Sequence, residues 1–341
     1  MNQRQLLVMR KLREIQESDG LSVEHLEEIV APALELESTE TEAAGSRTPT
    51  VTSEAIDSWR RFERGDPLDE RDLFHLESII LPNGARPAFD IQGDSFASLP
   101  SLWQDINNQR SLLEPLIRGI GRVELVGHPE RTIAGTAFVC GARRLMTNRH
   151  VAALFTQGVG AGAQLQFTPG IGISIDLKEE VGSSASLILE VTAPALIIEE
   201  WDIAILETSE LPAGVIPLPL STVAPSQLEE RLAMVVGYPA QDPSESSIQQ
   251  NEIFRSVFDK KRLQPGRLKG FAKVPSFERT VNALAHDCTT LGGNSGSAVI
   301  DITSARVVGI HFDGQPLVAN FAVPTWELAT DHRVTGAGVD F

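Results

Sequence analysis

Gly292-Gly293-Asn294-Ser295-Gly296-Ser297-Ala298-Val299 sets one serine among turn-prone residues, directly before an apolar, strand-like run that continues into Ile300. A serine hydroxyl is a weak nucleophile until a base takes its proton and nearby donors hold the oxyanion that follows. Glycines let a backbone fold tightly enough to aim N–H groups at one point. The same residues also build ordinary turns, so this stretch needs partners elsewhere in the chain before it carries chemistry.

Two further segments supply them. Gly135-Thr136-Ala137-Phe138-Val139-Cys140 is followed by Leu145-Met146-Thr147-Asn148-Arg149-His150-Val151-Ala152, and Trp201-Asp202-Ile203-Ala204-Ile205-Leu206 comes later. The chain order is therefore His150, Asp202, Ser295. Subtilisins and α/β-hydrolases order such groups differently, and the Gly-x-Ser-x-Gly elbow of the hydrolases fails here because Ser297 stands two residues after Ser295.

On these motifs the chain resembles a bacterial trypsin-like serine peptidase of the chymotrypsin fold. The matching segments are Gly135–Phe138, Thr147–Ala152, Asp202–Leu206, His286–Ser297 and Val308–Gly314, which together pin about Gly121 to Thr325. The resemblance implies a catalytic triad of His150, Asp202 and Ser295, with an oxyanion hole from the N–H groups of Gly293 and Ser295. It implies peptide-bond cleavage through an acyl-enzyme, without cofactor or metal. Glutamyl endopeptidases resemble the arrangement of Thr290, five residues before Ser295, and His311 in Gly309-Ile310-His311. Those two residues are expected to line the pocket for the side chain before the cut. A hydroxyl and an imidazole suit Glu or Gln there better than Lys or Arg, since both can donate hydrogen bonds.

Fold class follows from spacing. From Arg118 onward, short Val/Ile/Leu-rich runs alternate with Gly, Pro, Ser and Asp, as in an all-β barrel or sandwich. The resemblance makes this mainly-β region a pair of antiparallel six-stranded β-barrels, at about Gly121–Ser209 and Leu228–Val323, with Leu211–Pro225 crossing between them. A mostly helical N-terminal region is expected to precede them. Domain expectations are a helical segment over 1–36, a linker over 37–54 rich in Ser, Thr, Glu and Ala, a helical and extended region over 55–117, and the peptidase over 118–341.

Within the N-terminal region, Val8, Leu12 and Ile15 fall at helical spacing, and Ser22 is a cap for a second helix carrying Leu26, Ile29 and Val30. Asp66-Pro67 reads as an N-cap and first turn leading to Leu73, Leu76 and Ile80. A helix over Leu99–Ile117 is expected to kink or split at Pro115. The region carries no chemistry of its own and is expected to be an interaction or regulatory module, through which a regulatory protein partner would act.

The 341 residues carry 29 basic and 46 acidic side chains, a net charge of −17, with 11 basic and 21 acidic before residue 111. Such a surface repels nucleic acid. The basic run from Arg255 to Lys273 reads as a solvated rim, or as a basic lip to the cleft. Cys140 and Cys288 sit at no familiar bridging offsets and read as reduced core residues. The first twenty residues hold no apolar h-region, and no run of 18 apolar residues occurs, so the expectation is a cytoplasmic protein with peptide or protein substrates and no membrane or nucleic-acid partner. Such an endopeptidase would need gating by a stimulus. A catalytically inactive protease fold that merely holds peptides is the alternative.

Overall fold

A computed structural model describes residues 10, 12–13, 16–17, 22–26, 53–68, 72, 87–241, 250–251, 254–276, 279–315 and 319–341. These belong to two compact units. One draws on 1–88, 98–107 and 241–257, and the other on 89–97, 108–240 and 258–341.

In the first unit, helix α1 spans Ser53–Arg64. Among its described side chains, Ser58, Trp59 and Phe62 are buried, spaced to share one face, and the two rings lie 5.3 Å apart. Gly65, at φ +72°, ends the helix, with its N–H on the Phe62 carbonyl and that of Asp66 on the Arg61 carbonyl. Residues 53–54 are thus helical, although the sequence places them in a linker; the rest of that linker lies outside the described residues. Residues 66–68 are not helical, contrary to the expected cap at Asp66-Pro67, and Leu73, Leu76 and Ile80 lie outside the description. Residues 23–26 are helical, and Leu12 and Leu26 are buried; Val8, Ile15, Ile29 and Val30 are among the residues not described. The stretch before Ile117 forms α2 (Gln104–Asn108) and α3 (Arg110–Ile117). The break falls at Gln109 and not at Pro115, which sits inside α3 close enough to its end to interrupt little of the ladder.

The second unit is mainly β. Strands β1 (Phe89–Gln92) and β2 (Ser95–Phe96) precede the barrels. The first barrel is built from β3 (Ile120–Val126), β4 (Ile133–Gly141) and β5 (Arg144–Asn148). After the one-turn helix α4 (Arg149–Ala152) come the two-residue strands β6 (Thr156–Gln157), β7 (Gly160–Ala161) and β8 (Gln166–Phe167). Strands β9 (Gly172–Asp176), β10 (Ile188–Ile198) and β11 (Ile203–Thr208) complete it. The order β11-β5-β4-β3-β9-β10 closes through β10–β11, giving six antiparallel strands in a ring. Val123, Ala137, Val139, Leu145, Ile175 and Leu206 fill it, each worth about 1.5–3 kcal/mol for the larger side chains.

The second barrel uses β12 (Leu232–Gly237), β13 (Arg262–Ser276), β14 (Arg279–His286), β15 (Ala298–Asp301), β16 (Arg306–Gln315) and β17 (Ala319–Pro324). The order β12-β15-β16-β17-β14-β13 closes through β12–β13, and β1 adds to the outer edge of β13. The expected pair of six-stranded barrels is therefore present. The Pro-rich connection ties to both: the Leu218 N–H donates to the Val139 carbonyl, and the Ser221 N–H to that of Val307. Helices α5 (Thr325–Leu328) and α6 (His332–Thr335) end the chain.

The middle of the basic run is not a solvated rim, although Arg255 and Lys273 at its ends are exposed. Lys260 pairs with Glu179, and Lys269 reaches Glu230 at 2.8 Å and Asp287 at 3.2 Å. Lys261 is wholly buried, donating to the Leu177 carbonyl at 2.6 Å and the Ile117 carbonyl at 3.2 Å, and burial lowers its pKa to about 8. Arg122 likewise sits between Glu124 at 2.6 Å and Glu179 at 2.9 Å. Cys140 and Cys288 are buried thiols, and burial pushes that of Cys140 up.

Candidate active site

His150 lies in α4, directly after β5, where the Asn148 backbone is still extended and the chain turns into one helical turn. Asp202 precedes β11 with φ +50°, a left-handed conformation that Asp tolerates better than most residues. Four bonds hold this junction. The His150 N–H donates to Asp202 Oδ1 at 3.0 Å, and the ring Nδ1 lies 2.7 Å from Oδ2. The Arg149 N–H and the Asn148 side-chain amide both donate to the Asp202 carbonyl, at 3.0 and 3.2 Å. The carboxylate is buried, 5% exposed, while the imidazole is 42% exposed. Such a pair keeps the acid dry and leaves the far edge of the ring open to a reactant.

Ser295 comes from the second barrel, in the loop before β15. The Thr136 N–H donates to the Ser295 carbonyl at 2.9 Å. A Cβ added at Gly135 would stand 2.9 Å from that carbonyl oxygen and 3.1 Å from Val151 Cγ2. Gly135 is thus the thin partition between the serine backbone and the residue next to His150.

The loop's peptide groups are oriented one by one. The Gly292 carbonyl accepts from the Ala240 N–H at 2.6 Å, and the Asn294 carbonyl accepts from the Ser297 N–H at 2.9 Å. In a trans peptide the N–H points opposite to the carbonyl, so the N–H groups of Gly293 and Ser295 are both turned away from those partners. Among the described residues, neither donates to a backbone carbonyl. The Gly293 carbonyl between them accepts from the Thr136 hydroxyl at 2.7 Å. Gly293 has φ +87°, and a Cβ there would collide with the Tyr238 carbonyl oxygen.

His311 lies on β16 beside the serine loop: its N–H donates to the Ser297 carbonyl, and its carbonyl accepts from the Gly296 N–H, both at 2.9 Å. A bulge between His311 and Asp313 lets His311 oppose Ala322 and Gly314 oppose Asn320, so all four face one side of the sheet. Thr290 Oγ1 lies 4.0 Å from the Cβ position of Gly314. No hydrogen bond joins Thr290 to His311 among the described residues.

Two residues here were not legible as site residues in the sequence. His286 Nε2 lies 3.3 Å from His311 Nδ1, both rings buried. Burial lowers the His286 pKa to about 4, and burial, then His286 and His150, hold His311 well below the usual histidine range. Asn320 donates its side-chain amide to the Cys288 carbonyl at 2.7 Å, and its Oδ1 occupies the space a Cβ on Gly314 would need. His286 lay within a matched segment, but Asn320 is placed only by the β16–β17 register.

A family model described as a trypsin-like peptidase domain matches residues 135–310, just over half of the chain. The chain belongs to that family. It is a trypsin-like serine endopeptidase, acting on peptide bonds. A probable serine protease of Lysobacter enzymogenes is 27% identical over 296 residues, covering 77% of this chain and 76% of its own length. Among solved structures, the active form of the Rv3671c protease from M. tuberculosis is similar at 18% identity and TM-score 0.48, covering 72% of this chain and 90% of its own. Deg5 is similar at 16% identity and TM-score 0.46, covering 67% and 93%. No helix among the described residues is long and apolar enough to cross a membrane.

Proposed function

We propose that this trypsin-like peptidase works through His150, Asp202 and Ser295, with Gly293 and Ser295 supplying the oxyanion hole. The observation that carries the reading is the 2.7 Å contact between His150 Nδ1 and a buried Asp202 carboxylate, beside a serine loop in which the N–H groups of Gly293 and Ser295 donate to no backbone carbonyl among the described residues. Asp202 accepts Nδ1–H and so keeps Nε2 unprotonated, ready to take the Ser295 hydroxyl proton as the oxygen attacks the scissile carbonyl. The tetrahedral oxyanion draws on the N–H groups of Gly293 and Ser295. His150 then gives its proton to the leaving amine, and water, activated the same way, frees the acyl group.

Thr290 and His311 form the pocket for the side chain before the cut, favouring Glu or Gln. Two buried thiols fit a reducing compartment, which supports a cytoplasmic enzyme; restraint by its N-terminal region, relieved by a stimulus or partner, is a separate part of the proposal. A fluorophosphonate probe tests the core of this proposal, because only an activated serine reacts covalently. Labelling of the full chain that disappears in Ser295→Ala supports it. An unlabelled, well-folded chain would point to the inactive, peptide-holding alternative.

A further inference from the structure

The pocket residues proposed above do not by themselves choose between a carboxylate and a carboxamide. The Thr290 hydroxyl can donate or accept. A neutral imidazole can present either an N–H or a bare nitrogen, so His311 is equally ambivalent. His286 against it keeps the pair uncharged and supplies no fixed positive charge to a carboxylate.

Asn320 differs, because its polarity is fixed by its partner. The Cys288 carbonyl can only accept, so the group 2.7 Å from it must be the Asn320 NH₂. The carboxamide oxygen is thereby turned the other way, to the face of Gly314, with the Thr290 hydroxyl 4.0 Å from the same point. The bulge in β16 sets Asn320, Gly314 and His311 on one side of the sheet. Oδ1 is an acceptor with no donating state.

We infer that Asn320 is a specificity-determining residue, and that its fixed acceptor oxygen makes the enzyme select a carboxamide side chain, glutamine, over glutamate before the cut. A glutamine NH₂ donates to Oδ1 while its own oxygen takes the Thr290 or His311 donor. A glutamate would set acceptor against acceptor at Oδ1. The inference rests on the pocket reading given under the proposed function and adds the choice within it.

The test uses the full chain and four fluorogenic peptides that differ only in Gln, Glu, Arg or Leu before the cut, with active enzyme counted by fluorophosphonate titration. The wild type should favour Gln over Glu in kcat/KM by roughly tenfold to a hundredfold, the scale of one mispaired polar group. Asn320→Ala should bring the Gln/Glu ratio to about one, and Asn320→Asp should depress Glu further and raise Arg. Ratios within one variant are insensitive to how much of it folds. Equal or better cleavage after Glu by the wild type, or an unchanged ratio in Asn320→Ala, overturns the role of Asn320 while leaving Thr290 and His311 in the pocket. A wild type that prefers Arg or Leu overturns the pocket reading and this inference together, and leaves the triad standing.

Discussion

Thr136 grips the Ser295 loop twice: its N–H donates to the Ser295 carbonyl at 2.9 Å, and its hydroxyl donates to the Gly293 carbonyl at 2.7 Å. The same hydroxyl accepts from the Tyr238 N–H at 3.2 Å, and the side chain is fully buried. A residue of the first barrel therefore fixes the peptide plane between the two proposed oxyanion donors. Thr136→Ala frees that plane and leaves a buried carbonyl unpaired. It should lower kcat by roughly tenfold to a hundredfold with little change in KM, as expected for a contact that acts on the transition state. Thr136→Ser, which keeps the hydroxyl, should restore most of the rate. Steady-state kinetics on both variants decide it; a loss of equal size in Thr136→Ser would assign the effect to packing.

Asp202 uses both oxygens as acceptors, one for the His150 N–H and one for Nδ1. An asparagine offers only one oxygen, so Asp202→Asn must set its NH₂ against one of two donors or force the imidazole into the other tautomer. Turnover should fall by about 10⁴-fold, as in other triads where the tautomer is lost. Fluorophosphonate labelling should slow in parallel. A variant within tenfold of wild type would remove Asp202 from the mechanism.

At Gly293 a side chain meets both backbone strain and a steric clash. Gly293→Ala asks alanine to hold φ +87° while its methyl meets the Tyr238 carbonyl oxygen. Relief requires the peptide to rotate, which swings the proposed oxyanion N–H out of place. The loss should be at least about a hundredfold in kcat, the scale of one oxyanion donor. Thermal unfolding run alongside the kinetics separates a misplaced donor from a collapsed loop.

His286 and His311 bring a pH dependence to stability. Burial depresses both pKa values, that of His286 from 6.5 to about 4. As pH falls from 6.5 toward 4, the unfolded chain takes up protons that the folded pair refuses, so stability declines on acidification and rises with pH across that window. The His286 share is at most ~3 kcal/mol. Urea midpoints for wild type and His286→Gln at pH 7.5 and 4.5 should show a smaller drop in the variant. Parallel drops would remove His286 from the acid response.

Much of this was legible from residue order alone. The proposed triad of His150, Asp202 and Ser295 could be picked out because each residue has a distinctive local setting in the sequence: a turn after a strand, a strand entry, a glycine loop. The barrels follow from short apolar runs between turn residues. Asn320 was not legible, because its place opposite Gly314 depends on a bulge, and a one-residue change of register would turn its side chain to the other face. The helix of Ser53–Arg64 lies mostly within the region expected to be helical and extended, but its bounds were not legible because polar and charged residues dominate it, with Trp59 and Phe62 the large apolar anchors. The basic run misled for a related reason: charge counts do not show that Lys261 is buried against carbonyls.

The structure also changes where the N-terminal region can be cut. The sequence reading begins the peptidase at residue 118, but β1 pairs with β13 at Phe89 and Leu263 within the second unit. The N–H groups of Gly93 and Asp94 donate to the Glu180 carboxylate at 2.5 and 2.9 Å, and Lys178 pairs with Asp94 at 2.5 Å. Glu180 is only 2% exposed, and a buried carboxylate stripped of its donors costs several kcal/mol. A chain beginning at residue 118 should therefore unfold at much lower temperature than one beginning at residue 87, which keeps β1 and β2. If residues 1–86 restrain the peptidase, the chain from residue 87 should hydrolyse small peptides severalfold faster than the full chain. Equal small-peptide rates with slower cleavage of folded proteins would assign those residues to substrate recruitment. Thermal midpoints of the two truncated chains, measured with their peptide and protein cleavage rates, settle both points, and equal midpoints would show that β1 and β2 are dispensable to the barrel.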